Sequence, residues 1–127
     1  MIKDFLRNVP LFEDLPEEEL ETVCSLSRRV QLEPGELLFA EGDTGNTAYV
    51  IEVGALEIFK GSNPNEVLLA ETKPGEVIGE IDLLEDSPRM ATARASKDTT
   101  LIEIKKDQID SLLLTSKGST SDLFKNV

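Results

Sequence analysis

The stretch Gly79-Glu80-Ile81-Asp82-Leu83-Leu84-Glu85-Asp86-Ser87-Pro88-Arg89-Met90-Ala91-Thr92 decides how this chain is read. It places four acidic residues and a single arginine behind a glycine, with Pro88 immediately before Arg89. Two readings are open from the residues alone. Arg89 is either an ordinary surface partner for nearby carboxylates or the cation of a small anion site. Local physics supplies the second. Gly79 falls at a strand-to-helix junction, where a residue without Cβ lets the backbone approach a ligand. The first amides of a short helix starting near Glu80 would lack intrahelical acceptors and point outward with the positive end of the dipole. Arg89 would bring a forked, permanently charged donor to the same spot, and Pro88 restricts the chain before it. Glu80 would accept hydrogen bonds from sugar hydroxyls. A carboxylate for a diol, beside amides and an arginine for a phosphate, describes a nucleotide.

The frame around this stretch is rich in strands. From Arg28 to Ile104, short β-prone runs alternate with Gly, Pro, Asn and Asp. The expected strands are Val30–Glu33, Leu37–Ala40, Ala48–Val53, Leu56–Lys60, Val67–Glu71, Val77–Ile78, Met90–Ala95 and Thr100–Ile104. Tyr49, Ile51 and Val53 share one face at period two, as do Leu56 and Ile58. Val53-Gly54-Ala55 reads as a tight connection, with Gly54 free to take positive φ. Such spacing suggests a sandwich, jelly roll or barrel. Residues 80–86 read as a single-turn helix inserted in it. Residues 11–27 read as a helix, with Leu20, Val23, Cys24 and Ser27 on one face, Pro16 in its first turn and Asp14 or Leu15 as cap. Ile2, Phe5 and Leu6 mark a short helix before it, set apart by Pro10. After the strands, Ile109, Leu112 and Leu113 repeat at helical spacing behind a cap at Asp107. Residues 116–119 break that helix, and Ser121–Val127 begins another.

The bulk numbers remove several function classes. The 127 residues fit one domain with a core of its own. The net charge of −12 argues against nucleic acid, whose phosphates need clustered Lys and Arg, and against an anionic membrane surface. No apolar run approaches the roughly 20 residues of a spanning helix, and the N-terminus does not read as a signal peptide. Cys24 is the single cysteine, which excludes an internal disulfide and fits a reducing, cytoplasmic compartment. The chain has no histidine. That removes imidazole metal sites and histidine acid–base catalysis, and with them a β-roll enzyme built on His-bound metal. Neither an enzyme nor a metal or organic cofactor is expected.

With these residues in view, the chain resembles the cyclic nucleotide-binding domain family. That family carries a phosphate-binding cassette of the form Gly-Glu-(Leu/Ile)-Ala-Leu, a short gap, then Pro-Arg-Ala-Ala-(Thr/Ser). Gly79-Glu80-Ile81-Asp82-Leu83 and Pro88-Arg89-Met90-Ala91-Thr92 are similar to it. So are Pro34-Gly35-Glu36, Glu41-Gly42-Asp43, Tyr49-Val50-Ile51, Gly54-Ala55-Leu56 and the entry Leu11-Phe12-Glu13-Asp14-Leu15. The likeness runs from about residue 9 to residue 115. It implies a mainly β fold with flanking helices: an eight-stranded antiparallel β-roll, jelly-roll-like, a double-stranded β-helix. Helices would fill 1–27, the roll 28–104 with its cassette at 79–92, and C-terminal helices 106–127. The implied ligand-binding residues are Gly79, Glu80, Ile81, Asp82, Arg89, Met90, Ala91 and Thr92. Glu80 would take the ribose 2′-hydroxyl, the amides near Ile81 and Asp82 the cyclic phosphate, and Arg89 would pair with that phosphate. The base would rest on apolar residues such as Val67, Leu69 or Ile78.

Three departures shape what the resemblance implies. Asp82 stands where the family has Ala or another small residue. Its carboxylate suits an empty helix N-terminus and would repel a phosphate or occupy Arg89 in its place. Met90 replaces the hydroxyl residue common in binders of cyclic GMP and cannot donate a hydrogen bond. This tilts the expected ligand to cyclic AMP over cyclic GMP; a gap-filling core role is the competing reading of Met90. Finally, only Ser119–Val127 follows the last break, where related regulators have a long helix over the base. Either the chain is a piece of a longer protein or the base lies open. The expectation is a regulatory module that binds a cyclic nucleotide and relays it through the C-terminal helices, to a homodimer mate or a partner protein. The alternative is a degenerate fold that has lost its ligand and serves protein interaction or assembly.

Overall fold

The computed structural model describes residues 2–10, 12–62, 64–79 and 87–108. Two helices, α1 (Ile2–Arg7) and α2 (Glu17–Leu26), precede eight strands: β1 (Arg28–Leu32), β2 (Leu37–Phe39), β3 (Thr47–Val53), β4 (Leu56–Lys60), β5 (Val67–Glu71), β6 (Val77–Ile78), β7 (Thr92–Ala95) and β8 (Thr99–Lys105). The strands form two four-stranded sheets, ordered β1-β8-β3-β6 and β2-β7-β4-β5, and every pairing is antiparallel. The order has a simple origin. β4 pairs with β5, β3 with β6, β2 with β7 and β1 with β8. One long two-ply ribbon, closed at the β4–β5 turn, is therefore coiled upon itself, and β8·β3 and β7·β4 contacts seal the coil. This is the antiparallel β-roll expected from the sequence.

The two sheets are buried differently. The β1-β8-β3-β6 sheet is covered on both faces. On its outer face Ala48, Val50, Ile102 and Ile104 meet Leu6, Val9, Phe12, Leu15, Leu20 and Val23 of the helical segment. On its inner face Tyr49, Ile51 and Leu101 meet Leu56, Ala93 and Ala95 of the second sheet. That explains why four successive residues of β3, Ala48 to Ile51, are buried, as in a strand packed on both sides. The second sheet has an outer face open to solvent, where Arg94 lies 4.4 Å above the Phe59 ring and pairs with Glu57. Its edge strand β5 is exposed at every position.

The helices are placed by the same apolar face that the sequence predicts. Leu20 and Val23 are buried, Glu17 in the first turn of α2 pairs with Lys3 and Arg7, and Glu21 one turn on pairs with Lys3. Cys24 is half-buried, and burial pushes its thiol up, so it carries no reactive thiolate character.

Several expectations need correction. The main helix begins at Glu17, not at residue 11. Pro16 takes the cap position with no side-chain hydrogen bond, and residues 12–15 are turns held by bonds such as Leu15 N–H to the Phe12 carbonyl at 3.2 Å. β1 begins at Arg28, because Arg28 and Arg29 pair outward with Glu103 and Glu52. β7 begins at Thr92 rather than Met90, since Arg89 is bonded instead to the connection before β3. Val53 leaves the face of Tyr49 and Ile51 after a register shift and is 58% exposed. Gly54 does take positive φ, at 96°, but the link it makes crosses from one sheet to the other rather than closing a hairpin. Asp107 is not a cap: residues 106–108 are already helical, and the Gln108 side chain accepts the Lys105 N–H at 3.1 Å. Its amide donates to the Val23 carbonyl at 3.2 Å, tying the end of the roll to α2. The expected helix at 80–86 and those beyond 108 lie outside the described residues.

Glu52 accepts two hydrogen bonds from Arg29, at 2.9 and 3.0 Å, and this guanidinium holds its carboxyl below the usual range. A carboxyl depressed by folding stabilises the fold above its unfolded pKa and loses that contribution as pH falls through the folded value. Glu52→Gln should therefore be slightly less stable than the parent near neutral pH, with the gap closing in acid. Urea unfolding across that range checks this; a gap constant with pH would show that the pair contributes nothing.

Candidate functional site

The coiled ribbon dictates what faces the motif. β6 pairs with β3 and β7 with β2, so the connection between β6 and β7 must lie against the connection between β2 and β3. Residues 40–46 are thus the facing half of any site built at 79–91. The two connections are stitched by backbone bonds. Arg89 N–H donates to the Asp43 carbonyl at 2.8 Å, and Gly42 N–H donates to the Arg89 carbonyl at 2.8 Å. Glu41 N–H donates to the Thr92 hydroxyl at 2.9 Å.

With its main chain clamped, Arg89 turns its side chain inward and is only 3% exposed. Nη2 donates to the Thr47 carbonyl at 2.7 Å and lies 3.4 Å from the Thr47 hydroxyl. Nη1 donates to the Gly79 carbonyl at 3.4 Å. The guanidinium carbon sits 4.3 Å from the centre of the Phe39 ring, within cation–π range. The Thr47 hydroxyl donates to the Tyr49 phenol oxygen at 3.0 Å, and the Tyr49 and Phe39 rings lie 6.3 Å apart at 35°. Arg89, Thr47, Tyr49 and Phe39 therefore close a ring of contacts around the guanidinium.

The two ends of the motif meet here. Gly79 has φ of 85°, and a Cβ on it would lie 2.5 Å from Arg89 Nη1 and 3.3 Å from the Thr47 carbonyl. Both the backbone conformation and the space call for glycine. The close approach that sequence reasoning assigned to a ligand is made, in this structure, by the guanidinium.

The remaining expected residues fall as follows. Glu80, Ile81 and Asp82 lie outside the described residues. Met90 is 54% exposed, which overturns the gap-filling reading. Ala91 is half-buried. Thr92 is buried and spends its hydroxyl on the Glu41 amide. Val67 and Leu69 are exposed on β5, and Ile78 is half-buried against the inner core. Sequence reasoning missed Phe39, Gly45 and Thr47, which touch Arg89 across 42 to 50 positions of chain. Only the strand pairing could have found them.

The profile of the cyclic nucleotide-binding domain matches residues 29–116. The chain belongs to the cyclic nucleotide-binding domain family. It is 31% identical over 118 residues to a cAMP-dependent protein kinase regulatory subunit of Hypocrea atroviridis, covering 93% of this chain and 25% of that protein. It is 31% identical over 109 residues to the cyclic AMP receptor protein of Thermus thermophilus, covering 85% of this chain and 50% of that one. Among solved structures, the regulatory domain of Toxoplasma gondii PKA with cAMP superimposes with a TM-score of 0.79 at 30% identity, over 87% of this chain and 42% of that one. The family member described here thus spans about a quarter of the length of the first of these relatives. Among the described residues, no helix is long and apolar enough to cross a membrane.

Replacing Thr92 by Val keeps the shape but removes the acceptor for the Glu41 amide. We expect a loss of about 1–3 kcal/mol, the cost of an unsatisfied buried group. Denaturant unfolding measures it; an unchanged midpoint would mean that water replaces the hydroxyl at no cost.

Proposed function

We propose that this domain is a regulatory module that binds a cyclic nucleotide through residues 79–92, with cyclic AMP preferred over cyclic GMP. One observation carries the reading: Arg89 is buried with Nη1 at the Gly79 carbonyl, so the glycine and the arginine that bracket the motif converge on one point. A fixed, forked cation at that point suits a cyclic phosphate. Glu80 accepts the ribose 2′-hydroxyl, and the amides near Ile81 and Asp82 face the phosphate. Met90, exposed beside Arg89, offers no donor to a guanine base, which supports the adenine ligand. The names of the two relatives and the bound nucleotide of the Toxoplasma structure support it too. They also disfavour the reading of a fold that has lost its ligand.

Binding shifts the population of C-terminal arrangements. That shift is the signal, passed to a partner protein or a second copy. Titration calorimetry with cyclic AMP and cyclic GMP tests the proposal. Cyclic AMP should bind more tightly, and Arg89→Ala should weaken it about a hundredfold, the effect of stripping a partner from a buried charge pair. Asp82→Ala should tighten binding by removing a carboxylate beside the phosphate. No heat at about millimolar ligand sinks the proposal, and an undiminished affinity in Arg89→Ala sinks the role of that residue.

A further inference from the structure

Gly45 stands apart from the other glycines of the turns. Among the described residues six glycines adopt positive φ, a backbone reason for glycine that Gly45 does not share. Its backbone would accept an L-residue. What it lacks is room: a Cβ there would lie 2.7 Å from Arg89 Nε and 2.8 Å from Cζ, and it would meet Nη2 as well. The bare backbone of Gly45 therefore leaves the space beside Nη2, Nε and Cζ that the guanidinium occupies. Phe39 presses on the same group from its ring, 4.3 Å from Cζ.

We infer that Gly45 and Phe39 are positioning residues that set where the Arg89 guanidinium lies before ligand arrives, the glycine by leaving room for it and the ring by bearing on it. The inference rests on the reading of Arg89 as the phosphate contact. A forked donor discriminates by the direction of its N–H bonds, so its plane matters as much as its charge. Thr47 holds one nitrogen through its carbonyl and Gly79 another, and Phe39 meets the group through its ring. The ring bears on the guanidinium, and the bare glycine leaves free the place in which those bonds form.

The arrangement makes an unusual prediction for Gly45→Ala. The atoms in the way belong to the end of a flexible side chain, so the methyl group is accommodated by moving the guanidinium, not the backbone. Stability should change little while binding fails. The tests are thermal unfolding, cyclic AMP calorimetry and side-chain NMR of the arginine Nε–Hε groups, with the Arg89 signal assigned by its loss in Arg89→Lys. In the parent the Arg89 signal is shifted by the Phe39 ring current, and Arg94, stacked on Phe59 at 4.4 Å, is an internal control. Gly45→Ala should move the Arg89 signal, leave Arg94 in place, keep the melting temperature and weaken cyclic AMP at least about tenfold. Phe39→Leu should abolish the ring shift and weaken binding about tenfold, whereas Phe39→Tyr should keep both. An unmoved Arg89 signal in Gly45→Ala and Phe39→Leu overturns the positioning role whether or not any nucleotide binds. A moved signal with unchanged affinity overturns its link to the ligand. If the parent itself binds no cyclic nucleotide, the functional reading and that link fall together, and the NMR result alone decides whether the two residues hold the guanidinium.

Discussion

A guanidinium taken out of water must be met by the protein, or the desolvation of its charge costs several kcal/mol. Arg89 is such a group, and the site is arranged around meeting it. The Thr47 and Gly79 carbonyls lie against its nitrogens, Phe39 against its face, and two glycines stand back to admit it. None of these partners is near Arg89 in sequence except across the motif itself. They are assembled because the roll brings the β2–β3 and β6–β7 connections together. The backbone bonds of Arg89 to Gly42 and Asp43 then fix where the side chain starts.

That assembly depends in turn on a sheet packed on both sides. β3 and β8 are buried against helices on one face and against the second sheet on the other. Fully buried strands cannot slip register without moving apolar residues into water, so Thr47 and Tyr49 have fixed positions at the start of β3. The N-terminal helices contribute to the site through this effect. They cover the outer face of the sheet that carries Thr47.

The fold was legible because its punctuation is local. Period-two runs broken by glycine and proline mark each strand, and six of the eight strands lie within one residue of their expected bounds at both ends without any tertiary knowledge. Boundaries failed where tertiary contacts decide them: Arg28 and Arg29 extend β1 through ion pairs with Glu103 and Glu52, and Arg89 delays β7 by bonding to Asp43. For the site, the motif pointed to Gly79 and Arg89, and the structure brings those two together. It could not point to Phe39, Gly45 or Thr47. Each is an unremarkable residue type for its place, and its role exists only through a neighbour more than forty positions away. Met90 misled in another way, since an apolar residue next to a buried arginine says nothing about which way it faces.

The ring of contacts at Arg89 also joins two bodies of different stiffness. Thr47 opens β3 and Gly79 follows β6, in the sheet that is covered on both faces; Phe39 ends β2 and Thr92 opens β7, in the sheet whose outer face meets water. Amide exchange should be slowest in the first and fastest along β5, which is exposed throughout. Arg89 is bonded to the stiff sheet through its side chain and stacked on the soft one through Phe39. A pull on the guanidinium therefore has one unyielding anchor and one compliant one, and the displacement goes mostly to the β2-β7-β4-β5 side. The fold sets the direction of the response before any ligand sets its size.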